Sequence, residues 1–211
     1  MKPTAAIAPD ALLPANPGDA LAIAQDLLQA PLMSNHHHGL WGYHGETAAG
    51  RALTVQSTGI GGPSAAAVLA ELAELGVRRA VRIGACEPLE GRLDPGAVLV
   101  AEAALAGDGT STALGVTGTV APTPALAEAL LRAGGEDAVA GTVASLDVPE
   151  LVPSHDGALA ADLESAALLA QGRRVGVDVA AVLFTPIAGE SDQAPETVLR
   201  AARIARDALA G

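Results

Sequence analysis

Aromatic side chains are almost missing from this chain. Its 211 residues include one tryptophan (Trp41), one tyrosine (Tyr43) and one phenylalanine (Phe184). A core built without rings has to be aliphatic, and half the residues are apolar, with 24 glycines among the total. Small side chains of this kind let helices lie close against a sheet. Cysteine is as scarce: Cys86 stands alone, so no internal disulfide can form, and a small buried packing role suits it. Positive charge is thin, with 12 Lys and Arg against 24 Asp and Glu and a formal net charge of −12. That balance offers no basic patch to offset phosphates and argues against a nucleic-acid partner. No apolar run reaches the length of a bilayer span, and the N-terminus carries no signal-peptide core, so a cytoplasmic protein with no membrane partner is expected. The length suits one α/β domain covering residues 1–211.

What is present is centred on Gln56–Cys86. An apolar strand, Ala52–Ser57, runs into a glycine turn, Thr58-Gly-Ile-Gly-Gly62. Pro63 and Ser64 then open a helix, which stops at Gly76. A second strand, Ala80–Gly84, follows. This is a βαβ unit whose turn presents backbone N–H groups at a helix start, a place for an anion or a ligand hydroxyl.

The rest of the chain alternates in the same way. Ala11–Leu13 is a short strand, and Asp19 is placed to cap a helix over Ala20–Gln29. Residues 31–39 read as a polar turn holding His36, His37 and His38, and Leu40–Thr47 and Arg51–Ser57 as a hairpin. Glu87–Gly96 is a polar connection, Ala97–Leu105 a strand and Gly107–Ser111 a loop. Helices are expected at Pro124–Ala133, Leu159–Arg174 and Glu196–Ala210, with strands at Val139–Ser145 and Val177–Phe184. The pattern predicts a three-layer α/β/α sandwich around a mixed sheet.

Individual residues carry competing readings. An unpaired guanidinium is costly in a strand as apolar as that of Arg82, so Arg82 needs either an internal acid or a bound anion. Glu164 reads either as an exposed acid favoured by a helix start or as a ligand group. The three adjacent histidines point in alternating directions and have no carboxylate at helical spacing, so no metal is expected there. His38 can still donate one hydrogen bond to an anion.

Pro17-Gly-Asp19, Ser57–Ser64, Arg82-Ile-Gly-Ala-Cys86, Asp108–Ser111, Ala144–Asp147 and Asp162–Ala167 form a series of blocks along the chain. In this order they resemble the nucleoside phosphorylase superfamily of uridine phosphorylases and hexameric purine nucleoside phosphorylases. The resemblance implies a partly barrel-like sheet and phosphorolysis of a purine or pyrimidine nucleoside, with inorganic phosphate as co-substrate and no cofactor. A nucleosidase using water and a non-catalytic nucleoside-binding protein are the rival readings. It implies catalytic roles for Arg82 and Glu164, and phosphate contacts from Gly18, Arg82, His38 and Ala85. Ribose would meet Glu164, Leu163, Ser57 and Ile60, and the base Cys86, Glu87, Ser145, Asp147 and Phe184. It also implies a homo-oligomer, a dimer or a trimer of dimers, with the Trp41/Tyr43 hairpin edge as the contact.

The chain departs from the family pattern at defined places. Ala22 and His38 stand where arginines are usual, Ala85 replaces a hydroxyl residue and Glu87 a glycine. No histidine precedes His36. The base-stacking aromatic falls near Pro149 and the purine enzymes' aspartate near Ile187, with Asp192 out of register.

Overall fold

The computed structural model describes residues 1–148, 157–189 and 196–211. The first strand, β1 (Asp10–Pro14), is wholly buried and leads through Asn16 into α1 (Pro17–Leu27). Asn16 caps that helix by accepting from the Gly18 N–H, which corrects the assignment of Asp19 as cap. The helix also ends earlier than its apolar pattern suggested. From Leu28 the chain is strand β2 (Leu28–Asn35), so most of the segment read as a polar turn is an edge strand; only His37–Gly39 forms a short 3-10 turn. The expected hairpin follows as β3 (Gly42–Thr47) and β4 (Ala52–Gln56).

The βαβ unit comprises β4, α2 (Gly62–Glu74) and β5 (Arg79–Ala85). Gly61, which precedes α2, has a φ of 89°, a conformation that favours glycine. A two-residue strand, β6 (Glu87–Pro88), lies inside the expected connection, followed by the long β7 (Val98–Gly107). The Gly107–Ser111 stretch, expected as a loop, begins a short helix, α3 (Gly109–Ala113), because the Asp108 carboxylate accepts from the Ser111 N–H. Then come β8 (Gly118–Val120), α4 (Pro124–Gly134) and β9 (Ala138–Leu146). The helix expected over Leu159–Arg174 is divided: Ala160–Asp162 is strand β10, and α5 covers Ser165–Val175. Strand β11 (Asp178–Phe184) and helix α6 (Glu196–Ala210) complete the described chain.

Among the described residues eleven strands form one mixed sheet, in the order β2-β3-β4-β1-β5-β11-β7-β9-β10-β6, with β8 on β7. Strands β4, β1, β5 and β11 run parallel, while β7 opposes β11. Only Cys86 separates β5 from β6, yet β5 pairs with β11 and β6 with β10. The path through β11, β7, β9 and β10 therefore returns to the strand segment it left, and the sheet curls into a partial barrel.

Side-chain alternation along the strands builds two aliphatic cores, one on each face. Val81 and Ile83 of β5, with Ala180 and Val182 of β11, meet α1, α4 and α6 on one side. Ala80, Val179, Ala181 and Leu183 meet α2 and α5 on the other. Trp41 and Tyr43 belong to the first core, Tyr43 fully buried and Trp41 partly so, so the pair expected at an exposed interface edge serves packing instead. The exposed apolar side chains on the edge strand β2 are Leu32 and Met33.

Leu69 of α2 is completely buried in the second core. Replacing it by alanine should cost about 2–5 kcal/mol through the cavity left behind. Urea unfolding should show a lower midpoint at an unchanged slope; an unchanged midpoint would contradict this packing.

Candidate functional site

The C-terminal ends of β1, β5, β9, β10 and β11 open on a cavity of about 560 Å³. In open α/β sheets this is where ligands bind, because the connections diverge there and leave a crevice. Ala15, Asn16 and Asp19 contribute from the turn after β1, and Ile60 from the glycine loop after β4. Gly84, Ala85, Cys86 and Glu87 come from the β5–β6 junction, and Phe184 and Pro186 from the end of β11.

Arg82 lies at this cavity with only 2% of its surface exposed. Its position on β5 turns it toward the α5 face, where the β10–α5 connection supplies two carboxylates. Arg82 Nε donates to Asp162 Oδ2 at 3.0 Å and to Ser165 Oγ at 3.2 Å. Its Nη2 forms ion pairs with Asp162 Oδ2, at 2.9 Å, and with Glu164 Oε2. Both readings of Arg82 therefore meet at one place: the guanidinium has its internal acids and also borders a cavity. Its Nη1 reaches only the Ile83 carbonyl, at 3.5 Å. Burial works against the charge on Arg82, but Glu164 and Asp162 outweigh it and hold its pKa above the ordinary value.

Asp162 is the hub of the cluster. It accepts from the Ser145 hydroxyl at 2.6 Å, the Ser165 hydroxyl at 2.6 Å and the Ser165 N–H at 3.1 Å. Ser145 Oγ in turn accepts from the Ala166 N–H at 2.9 Å. Glu164 precedes α5 and is 3% exposed, which excludes the reading of a solvated helix-start acid. Its Oε1 accepts from the Gly61 N–H at 2.8 Å. One donor of the glycine loop thus serves the protein's own carboxylate and locks the loop against the β10–α5 connection.

The cavity gathers Arg82, Glu164, Leu163, Ile60, Ala85, Cys86, Glu87 and Phe184 from the residues the sequence pointed to. The others lie elsewhere. Gly18 is exposed and its N–H is taken by Asn16 Oδ1 at 2.7 Å. His38 stands exposed in the 3-10 turn and does not line the cavity of its own chain. Ser57 is buried behind the glycine loop, its N–H donating to the Trp41 carbonyl. Ser145 is committed to Asp162, and Asp147 accepts from the Gly109 N–H at 2.7 Å, away from the cavity. Ile187 sits over Gly96 rather than in the cavity, and Pro149 and Asp192 fall outside the described residues. Sequence reasoning missed Asp162, Ser165 and Asp19. A signal for the first two was available: a buried arginine demands an acid, and Asp162 and Ser165 flank Glu164 in the same quoted block.

Protonation states narrow the chemistry. Burial pushes the Cys86 thiol up to about 12, so it is a neutral packing group that approaches the Phe184 carbonyl. Burial also pushes the Asp19 carboxyl up to about 6. No helix among the described residues is long and apolar enough to cross a membrane.

The Arg82 guanidinium lies directly over Gly84, where a Cβ would come within 2.4 Å of Nη1 and 2.6 Å of Nη2. Gly84→Ala therefore displaces the guanidinium end of Arg82 and strains its pairing with Asp162 and Glu164. A loss of about 1–3 kcal/mol in urea unfolding is expected. Wild-type stability in this variant would contradict the placement of Arg82.

A family model described as the phosphorylase superfamily matches residues 9–211. The DeoD-type purine nucleoside phosphorylase of Clostridium beijerinckii is 29% identical over 215 residues, covering 93% of this chain and 90% of the relative. The uridine phosphorylase of Salmonella typhimurium is 37% identical over 101 residues, which is 48% of this chain and 39% of that protein. The match thus spans nearly the whole sheet and both halves of the Arg82–Glu164 cluster. On that extent of likeness, the chain belongs to the phosphorylase superfamily.

Proposed function

We propose that the chain cleaves the N-glycosidic bond of a purine or pyrimidine nucleoside with phosphate as acceptor, releasing the base and a sugar 1-phosphate. The observation that carries this reading is Glu164, buried at the cavity with its two oxygens held by different donors, Arg82 and Gly61. A carboxylate oxygen has two lone pairs, so each oxygen keeps one for a ribose hydroxyl. The same fixed negative charge favours the oxocarbenium character that develops at the anomeric carbon as the bond to the base breaks. Arg82 Nη1, the guanidinium nitrogen with the weakest internal contact, is the group that would meet phosphate. Leu163 and Phe184 supply apolar surface for the sugar and the base. His38, exposed and remote from its own cavity, would serve the site of a second copy in a homo-oligomer.

Water as acceptor is the second reading, and one observation favours it. Arg82 is the only lysine or arginine among the described residues lining the cavity, and its charge is matched internally. A neutral acceptor needs no cation. Base release from inosine, adenosine and uridine, followed in phosphate and in phosphate-free buffer, separates the two. Phosphorolysis requires release to depend on phosphate and to yield a sugar 1-phosphate; equal rates without phosphate would assign hydrolysis. Glu164→Gln should lower kcat/KM by roughly 10- to 100-fold through the loss of a charged hydrogen-bond acceptor. Tight binding without turnover would leave a nucleoside-binding protein instead.

A further inference from the structure

The charges around the cavity are unequal in sign. Asp19, Glu87, Asp162 and Glu164 line it, against Arg82 alone. Asp162 and Glu164 already engage Arg82, while Asp19 and Glu87 have no cationic partner among the described residues. The two segments outside the described residues, 149–156 and 190–195, contain neither lysine nor arginine in their sequence. Among the described residues, no cation in the cavity offsets these two acids. A carboxylate can accept an N–H from a neutral base, but it adds attraction of charge for charge only to a cationic one, and an anionic base is repelled.

Building on the reading of the cavity as a nucleoside site, we propose that it prefers a nucleoside whose base carries a fixed positive charge, such as an N-ribosyl pyridinium. Glu87, at the β5–β6 junction beside Phe184, attracts the cationic ring, and the ring of Phe184 offers it an aromatic surface. The chemistry matches the donors present. When the C1′–N bond of such a nucleoside breaks, both electrons pass to the ring nitrogen and the base leaves neutral. No proton need be delivered to it. The positive charge moves to the sugar and is quenched by an oxygen of phosphate, forming the C1′–O bond; if water is the acceptor, it sheds a proton to bulk.

The test uses nicotinamide riboside, a permanent pyridinium cation, and its neutral dihydro form, with binding to the full chain measured by calorimetry. The proposal predicts that the cation binds at least roughly tenfold more tightly, and that Glu87→Gln and Asp19→Asn each reduce this preference severalfold. Glu87 is exposed, so its variant should fold, and circular dichroism checks both. Equal affinity for the two forms, or a preference untouched in both variants, overturns the inference. If neutral nucleosides are cleaved in that case, the nucleoside reading itself stands. If no nucleoside of either charge binds, that reading fails together with the inference.

Discussion

A single buried arginine governs the arrangement of this molecule. Arg82 is brought into a near-waterless place by the alternation of β5, and a guanidinium there is tolerated only with matched acids and satisfied N–H groups. Asp162 and Glu164 answer that requirement, and each draws in further elements. Asp162 engages Ser145 at the end of β9 and Ser165 at the start of α5; Glu164 engages Gly61 at the start of α2. Four pieces of chain, distant in sequence, are thereby fixed around one positive charge. Pairs of this kind add little net stability, because desolvation offsets their attraction. Their effect is on position: a carboxylate held from two sides at the wall of a cavity has nowhere else to point.

The alternating apolar segments were legible because strand and helix periods differ, and the central βαβ unit, the hairpin and α6 follow from them. The boundaries that failed have physical causes. In segment 31–39 Pro31, Ser34, Asn35 and the histidines suggested a turn, but β2 pairs with β3 there, with the polar Ser34 and Asn35 buried and Leu32 and Met33 exposed, against the usual pattern. Ala160-Ala-Asp162 is rich in a helix-favouring residue, yet it pairs with β9 and β6, and sheet pairing overrode local propensity. Asn16 outcompeted Asp19 as cap because Pro17 starts the helix earlier than the apolar pattern shows.

The candidate site was legible where it depends on motifs and opaque where it depends on partners. Arg82 and Glu164 stood out, and the structure joins them. Their direct pairing was hidden, since it arises from the meeting of β5 with the β10–α5 connection across a sheet that curls back on itself. Gly18 and Ser145 show the converse: their polar groups have internal partners in Asn16 and Asp162. A group in a motif is available to a ligand only after the protein's own demands are met. The full acidity of the cavity emerged only when Asp19 was seen to share it with Glu87 and Glu164.

Whether Glu164 holds the ribose hydroxyls is measured directly by one thermodynamic cycle. Adenosine and 2′,3′-dideoxyadenosine would be titrated into the wild-type chain and into Glu164→Gln. Charged hydrogen bonds of this type contribute about 1.5–3 kcal/mol each, so the wild type should bind adenosine more tightly by roughly tenfold or more. That advantage should largely disappear in the variant. Equal affinity of the wild type for the two nucleosides would contradict the assignment of Glu164 to the sugar.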